Sequence, residues 1–90
     1  MQKFLILDNK DNVAVATEFL EAGTIIQLTD GKKIEIKDPI PFAHKFSLVD
    51  LMVDDRIIKY GVIIGAATAP VKLGEHVHVH NIKGVRIDQK

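Results

Sequence analysis

The order of apolar and polar residues along the chain predicts strands. Residues 4–7 form a short apolar run, and the polar, turn-like DNKDN follows at 8–12. Residues 13–16 (VAVA) are apolar at every position, which predicts a strand buried on both faces. TIIQLT and KKIEIK flank Asp30-Gly31, and two apolar-rich runs split by Asp-Gly predict a hairpin. In the second run Ile34 and Ile36 alternate with Lys33, Glu35 and Lys37, the pattern of a half-buried strand. Residues 44–48, 57–60 and 62–64 read as further short strands, the last two around Gly61, with Gly65 marking a bend, a bulge or a close backbone approach. Residues 76–82 (HVHVHNI) alternate cleanly and read as one strand, and Val85 and Ile87 suggest another in the tail. Residues 18–22, closed by Gly23, and residues 49–52 read instead as single helical turns. Pro39 and Pro41 break the sheet, because neither has a backbone donor. Without an evident internal repeat or linker, residues 1–90 form one domain, an all-β unit of short strands with one or two short helical turns.

Composition narrows the function classes. A chain of 90 residues supports one domain, and a domain this small buries only about 60–65% of its unfolded surface. At 47% hydrophobic residues it is globular, and that apolar share is compatible with a homo-oligomer. Twelve basic residues balance twelve acidic ones, which argues against nonspecific nucleic-acid binding. No cysteine is present, so disulfides, thiolate metal sites and cysteine nucleophiles are excluded, and a cytoplasmic location is expected. The apolar run at 4–7 is too short for a signal-peptide core or a membrane span, so no membrane partner is expected. Gly-rich phosphate loops, dinucleotide fingerprints and nucleophile elbows are absent from the sequence.

Three of the four histidines lie in HVHVHN. On a strand His76, His78 and His80 share one face, about 6.5–7 Å apart, and Val77 and Val79 share the other, toward the core. Three uses are open for that row: a solvated polar face, acid–base or substrate contacts, or a metal pair that still needs a third ligand and a carboxylate. His44 and Lys45 follow the Pro41 break, where a proton carrier and a carboxylate partner would sit at a loop-to-strand junction; a solvated strand start is the alternative. Tyr60, the single tyrosine, is a core residue or a substrate contact, and Asn81 binds a substrate hydroxyl or orients a histidine.

The ordered set Asp11-Asn12-Val13-Ala14-Val15-Ala16, Ala22-Gly23-Thr24, Ile40-Pro41, His44-Lys45, Lys59-Tyr60-Gly61, Ile64-Gly65, Ala67-Thr68-Ala69 and Gly74-Glu75-His76-Val77-His78-Val79-His80-Asn81 resembles the SAF domain of the altronate and galactarate dehydratase family. It is equally similar to the separate small subunits of altronate dehydratase and sulfolactate sulfo-lyase. The resemblance runs over about residues 4–87. It implies a β-clip, barrel-like fold. It also implies β-elimination on a small hydroxy acid, with a large dehydratase subunit holding most of the catalytic apparatus, including a divalent metal, iron or similar. Within that reading His44, Lys45, His78 and His80 are the expected catalytic residues, and Tyr60, His76 and Asn81 the expected substrate contacts. Metal ligands on this chain are unassigned, and a stand-alone binding or assembly module without turnover is the alternative. One departure is visible: the family's IPxGHK segment has Ala43 where glycine is usual, after Phe42, which would matter if that position takes a positive φ.

Overall fold

The computed structural model describes residues 3–84. Among these residues nine short strands form three antiparallel sheets. The first sheet orders β1 (Phe4–Leu5), β2 (Val13–Ala16), β5 (Lys45–Ser47) and β8 (His76–Val77) side by side. The second is the hairpin β3 (Ile25–Gln27) and β4 (Lys33–Glu35), and the third orders β6 (Arg56–Lys59), β7 (Val62–Ala67) and β9 (Ile82–Gly84).

The all-β expectation holds, with two corrections. The three sheets do not close into one barrel. Neither expected helical turn forms. At 18–22 the chain instead pairs Leu20 with Ile40, each donating its N–H to the other's carbonyl, and at 49–52 Leu51 pairs with Val71 in the same way. Cross-chain bridging at a buried aliphatic residue takes the backbone groups that a helical turn would have used within itself.

Each bridge residue opens the same local structure. A tight turn follows at 21–24, 41–44, 52–55 and 72–75, closed by the N–H of its fourth residue on the carbonyl of its first, at 2.9–3.1 Å. The third residue always has positive φ: Gly23 at 93°, Ala43 at 70°, Asp54 at 73° and Gly74 at 87°. That combination marks a type II turn. Bridge partners are twenty residues apart in both pairs. The chain thus uses one device four times, although the residues filling it share too little identity to show as a sequence repeat.

Ala43 fills a position that favours glycine, because a left-handed Cβ crowds the following carbonyl. Ala43→Gly is expected to raise stability by up to about 1 kcal/mol, since glycine's greater unfolded entropy offsets part of the relieved strain. Urea denaturation of the two chains measures it, and a lower midpoint for the glycine variant would contradict the assignment.

The Val13–Ala16 strand is buried on both sides, as its unbroken apolar pattern predicts. Ala14 and Ala16 join Phe46, Leu20, Ile34 and Ile40 in one core. Val13 joins Leu51, Ile57, Val71 and Val77 in a second. The Asp30-Gly31 hairpin also forms as read, with Ile34 and Ile36 buried and Lys33, Glu35 and Lys37 exposed. The bend expected near Gly65 is a β-bulge: Ile57 pairs with Gly65 and Ile58 with Ile63, leaving Ile64 as the extra residue. β7 therefore runs past the expected end at Ile64. The suggested strand through Val85 and Ile87 lies outside the described residues.

Candidate functional site

The histidine segment corrects the sequence reading. HVHVHN is not one strand. β8 ends at Val77, the chain turns over 78–81, and β9 begins at Ile82. Val77 is fully buried, but Val79 is 79% exposed, so the expectation that both valines face the core fails for the second. Asn81 causes the turn. Its Oδ1 accepts the His78 N–H at 2.9 Å, its Nδ2 donates to the His76 carbonyl at 2.8 Å, and its own N–H bonds the His78 carbonyl at 3.0 Å. These contacts supply what a continuing partner strand would have supplied, so period-2 alternation gives way to a local side-chain cap. Asn81 is itself buried. Its two side-chain groups are bonded to the backbone of His76 and His78.

His44 joins this cluster from a distance of 32 residues. β5 pairs antiparallel with β8 in the register Lys45↔Val77 and Phe46↔His76. Continuing that register sets His44 opposite His78, and their rings stack at 4.2 Å between centroids. His44 also stacks on His76 at 5.0 Å, and its Nδ1 lies 2.8 Å from His76 Nε2, a hydrogen bond in which one ring donates and the other accepts. The rings of His76 and His78 are stacked with their centroids 5.4 Å apart. His80, exposed, tilts against His76 at 5.2 Å. Each of His44, His76 and His78 offers one nitrogen, and the three nitrogens lie within 4.8 Å of one another. No carboxylate belongs to that set. An all-imidazole donor set suits zinc, iron(II) or cobalt(II) better than magnesium or calcium.

Two of the four type II turns deliver these side chains. The turn at 41–44 ends on His44, and the turn at 72–75 leads into His76. Asp38 holds the second delivery point: its Oδ2 accepts the His76 N–H at 3.0 Å. Sequence reasoning missed Asp38, whose only visible signal was its place beside Pro39 at a sheet break.

Burial and neighbouring positive charge lower the pKa of His76, His78 and Lys45. His76 is held below 6.5 by burial first, then by His44, His80 and His78, with Asp38 opposing. His78 is lowered by burial, His44, Lys45 and His80. Lys45, half-buried at the start of β5, is held below its ordinary 10.5 by burial and by Lys59. Neither ion pair among the described residues involves Lys45. It is therefore a cation without a protein carboxylate paired to it, near His78 and Lys59.

A pH dependence of stability follows. With folded values below 6.5, the unfolded chain takes up protons at His76 and His78 first as pH falls. The contribution of these groups is complete above about pH 6.5 and is lost as pH drops below it. The melting temperature should fall from pH 7.5 to 5.5, and the His76→Gln, His78→Gln double variant should show a shallower fall. Equal slopes in both chains would contradict the shifts.

Tyr60 stands apart. It sits at the β6–β7 turn with φ 60°, is 65% exposed, and carries the Lys59 ammonium 5.7 Å from its ring centroid. It is not the packed core residue that a lone tyrosine suggests, and among the described residues no ring stacking or hydrogen bond links it to the imidazoles. Two surface concavities, one lined by Phe4, Ile6, Leu7, Asp8, Asn9 and Thr29 and the other by residues of 18–24 with Lys3, include neither an imidazole nor Lys45. The cluster is an open patch, flanked in the chain by the exposed Phe42 and Val79. Among the described residues no helix is long and apolar enough to cross a membrane.

Comparison with known proteins gives this geometry a context. The chain is 40% identical to the (2R)-sulfolactate sulfo-lyase subunit alpha of Chromohalobacter salexigens, over 92% of its own length and 95% of that subunit. It is 39% identical to the altronate dehydratase of Bacillus subtilis over 92% of its length, and 40% identical to that of Escherichia coli over 81%. The chain spans only 16% and 14% of those two dehydratases. The family model for the altronate/galactarate dehydratase SAF domain matches residues 2–85. The chain belongs to the altronate/galactarate dehydratase SAF domain family.

Proposed function

We propose that this chain is the small, non-autonomous component of a lyase that eliminates water or sulfite from a small hydroxy acid, working with a separate large dehydratase subunit. The observation that carries this reading is the nearly end-to-end match to a protein named as a lyase subunit alpha. The histidine patch supports it, because a concave pocket is what normally encloses a small substrate, and neither of the two surface concavities described above includes the imidazoles. The partner would close over the patch and supply the missing walls, with Phe42 and Val79 as apolar contacts at its border.

In such an elimination a base takes the proton from the carbon next to the carboxylate, and the freed electron pair is held as an enediolate. That pair then forms the new carbon–carbon double bond as the bond from the neighbouring carbon to the leaving group breaks. A departing hydroxide takes a proton and leaves as water, and the enol product tautomerises to a ketone. The chain's own residues fit the proton traffic and the anion binding. His44 and His76 already share one hydrogen bond, which gives a proton a short path between the two rings. His78, stacked on His44, and His80 extend the group. Lys45 is the partner for the substrate carboxylate, and its partial burial strengthens that attraction. Tyr60 borders the site only if the partner brings substrate across to the β6–β7 turn. A divalent metal held mainly by the large subunit would supply Lewis-acid stabilisation of the developing negative charge.

Affinity purification of the chain from its native cells, with mass spectrometry of what accompanies it, tests this reading. A dehydratase-like large chain in near-equal amount is expected, and the pair should turn over a hydroxy acid from a panel including altronate, galactarate and sulfolactate. His44→Ala and Lys45→Met should each lower turnover of the assembled pair by about a hundredfold while assembly persists. Turnover by the 90-residue chain alone, or an assembled pair indifferent to both substitutions, would overturn it.

A further inference from the structure

We infer that His44, His76 and His78 form a three-nitrogen site on this chain itself for one borderline divalent cation of the zinc, cobalt(II) or iron(II) class, open to solvent in its remaining coordination position. The inference does not depend on the lyase reading. It rests on the convergence onto one spot of three imidazoles, His76 on β8, His44 just before β5 and His78 just after β8, with one nitrogen of each within 4.8 Å of the others.

The three backbones are separately pinned. His44 N–H bonds the Pro41 carbonyl at 3.0 Å, and its own carbonyl accepts the Ala16 N–H at 2.9 Å. His76 is paired with Phe46 and has its N–H on Asp38. His78 has its N–H on the Asn81 side chain. Side chains on such fixed backbones lose little freedom when they capture an ion.

The distances fit a cation with side-chain torsion alone. Zinc–nitrogen bonds of about 2.0–2.1 Å place tetrahedral ligand atoms about 3.4 Å apart. His44 Nδ1 and His76 Nε2, at 2.8 Å, must part slightly, and no separation, all lying within 4.8 Å, has to close by more than about 1.4 Å. The present hydrogen bond already aims one ring's lone pair and the other's N–H at the same point, and a metal ion takes the place of the shared proton. His80 is outside the set, since its ring touches only His76. The donors are neutral and number three, so the ion keeps its full charge and a free position, as in open zinc sites and unlike closed structural ones.

The test is titration of the untagged full-length chain with cobalt(II), read by its d–d absorption, with zinc as competitor. One ion per chain is expected, with an intense tetrahedral spectrum that zinc abolishes. His44→Ala, His76→Ala and His78→Ala should each weaken cobalt binding at least about tenfold, and His80→Ala less than about threefold. His44 decides the matter, because it is remote in sequence from the other two. Binding that survives both His44→Ala and His44→Gln unchanged would show that the HVHVH segment alone captures ions, and would overturn the site. So would the absence of any one-to-one complex with cobalt or zinc. If the alanine variants fail to fold, nitrogen-15 spectra of the wild-type imidazoles during zinc titration decide the same question. Shifts at His44, His76 and His78 support the site, and shifts confined to His76, His78 and His80 overturn it.

Discussion

Gly74→Ala is expected to cost about 3–5 kcal/mol, enough to unfold much of a domain whose whole stability is of the order of 5–10 kcal/mol. Two independent penalties add. Gly74 has φ 87°, where a side chain costs about 1–2 kcal/mol. Its new Cβ would also lie well inside van der Waals contact with the Glu35 carbonyl oxygen and close to that carbonyl carbon. Neither neighbour can move freely. Gly74 donates its N–H to the Ser47 carbonyl at 2.9 Å, and its own carbonyl accepts the Lys37 N–H at 2.9 Å. Close approach here joins the β3–β4 hairpin to the turn that delivers His76. The variant should be largely unfolded or melt far below wild type in circular dichroism. Gly23→Ala, by contrast, should cost only its backbone strain, since nothing lies within 4 Å of where the new methyl group would stand. A Gly74→Ala chain as stable as Gly23→Ala would show that the close approach is absent in solution.

Asn81→Ala should lower stability by about 2–4 kcal/mol and disorder the histidine cluster. Substitution strips a partner from the His78 N–H and from the His76 carbonyl, both half-buried. An unpaired group of this kind costs about 1–3 kcal/mol, and partial access of water limits the total. Asn81→Asp separates the two bonds, because it keeps the acceptor for His78 and loses the donor to His76. It should be intermediate in urea denaturation. Since Asn81 acts through the turn, its removal should reduce cobalt affinity even though it supplies no ligand, and the ring-current shifts that mark the stacked imidazoles should collapse. Unchanged imidazole shifts in a folded Asn81→Ala chain would refute this positioning role.

How far the sequence reaches differs from element to element, and the reason is range. The all-β character, the two-faced burial of Val13–Ala16 and the hairpin at Asp30-Gly31 are legible because each depends on residues adjacent in the chain. Period-2 alternation and turn chemistry are local properties, and the structure keeps them wherever nothing competes. HVHVHN misleads because something does compete. Its alternation is that of a strand, but Asn81 reaches back three and five residues to close a turn, a choice that alternation cannot reveal. The expected helical turns fail for a related reason: Leu20 and Leu51 bond to Ile40 and Val71, partners twenty residues away.

By itself the sequence determined the strand content, the family, and the candidate residues His44, Lys45, His76, His78, His80 and Asn81. Tertiary structure alone decided which of them meet. His44 faces His78 only because β5 and β8 pair in one register, and a one-residue slip would turn His44 to the opposite face of the sheet. That register is held by Phe46 and Val77, buried in separate cores on the two sides of the same sheet, so the apolar packing that builds the fold also places the imidazoles.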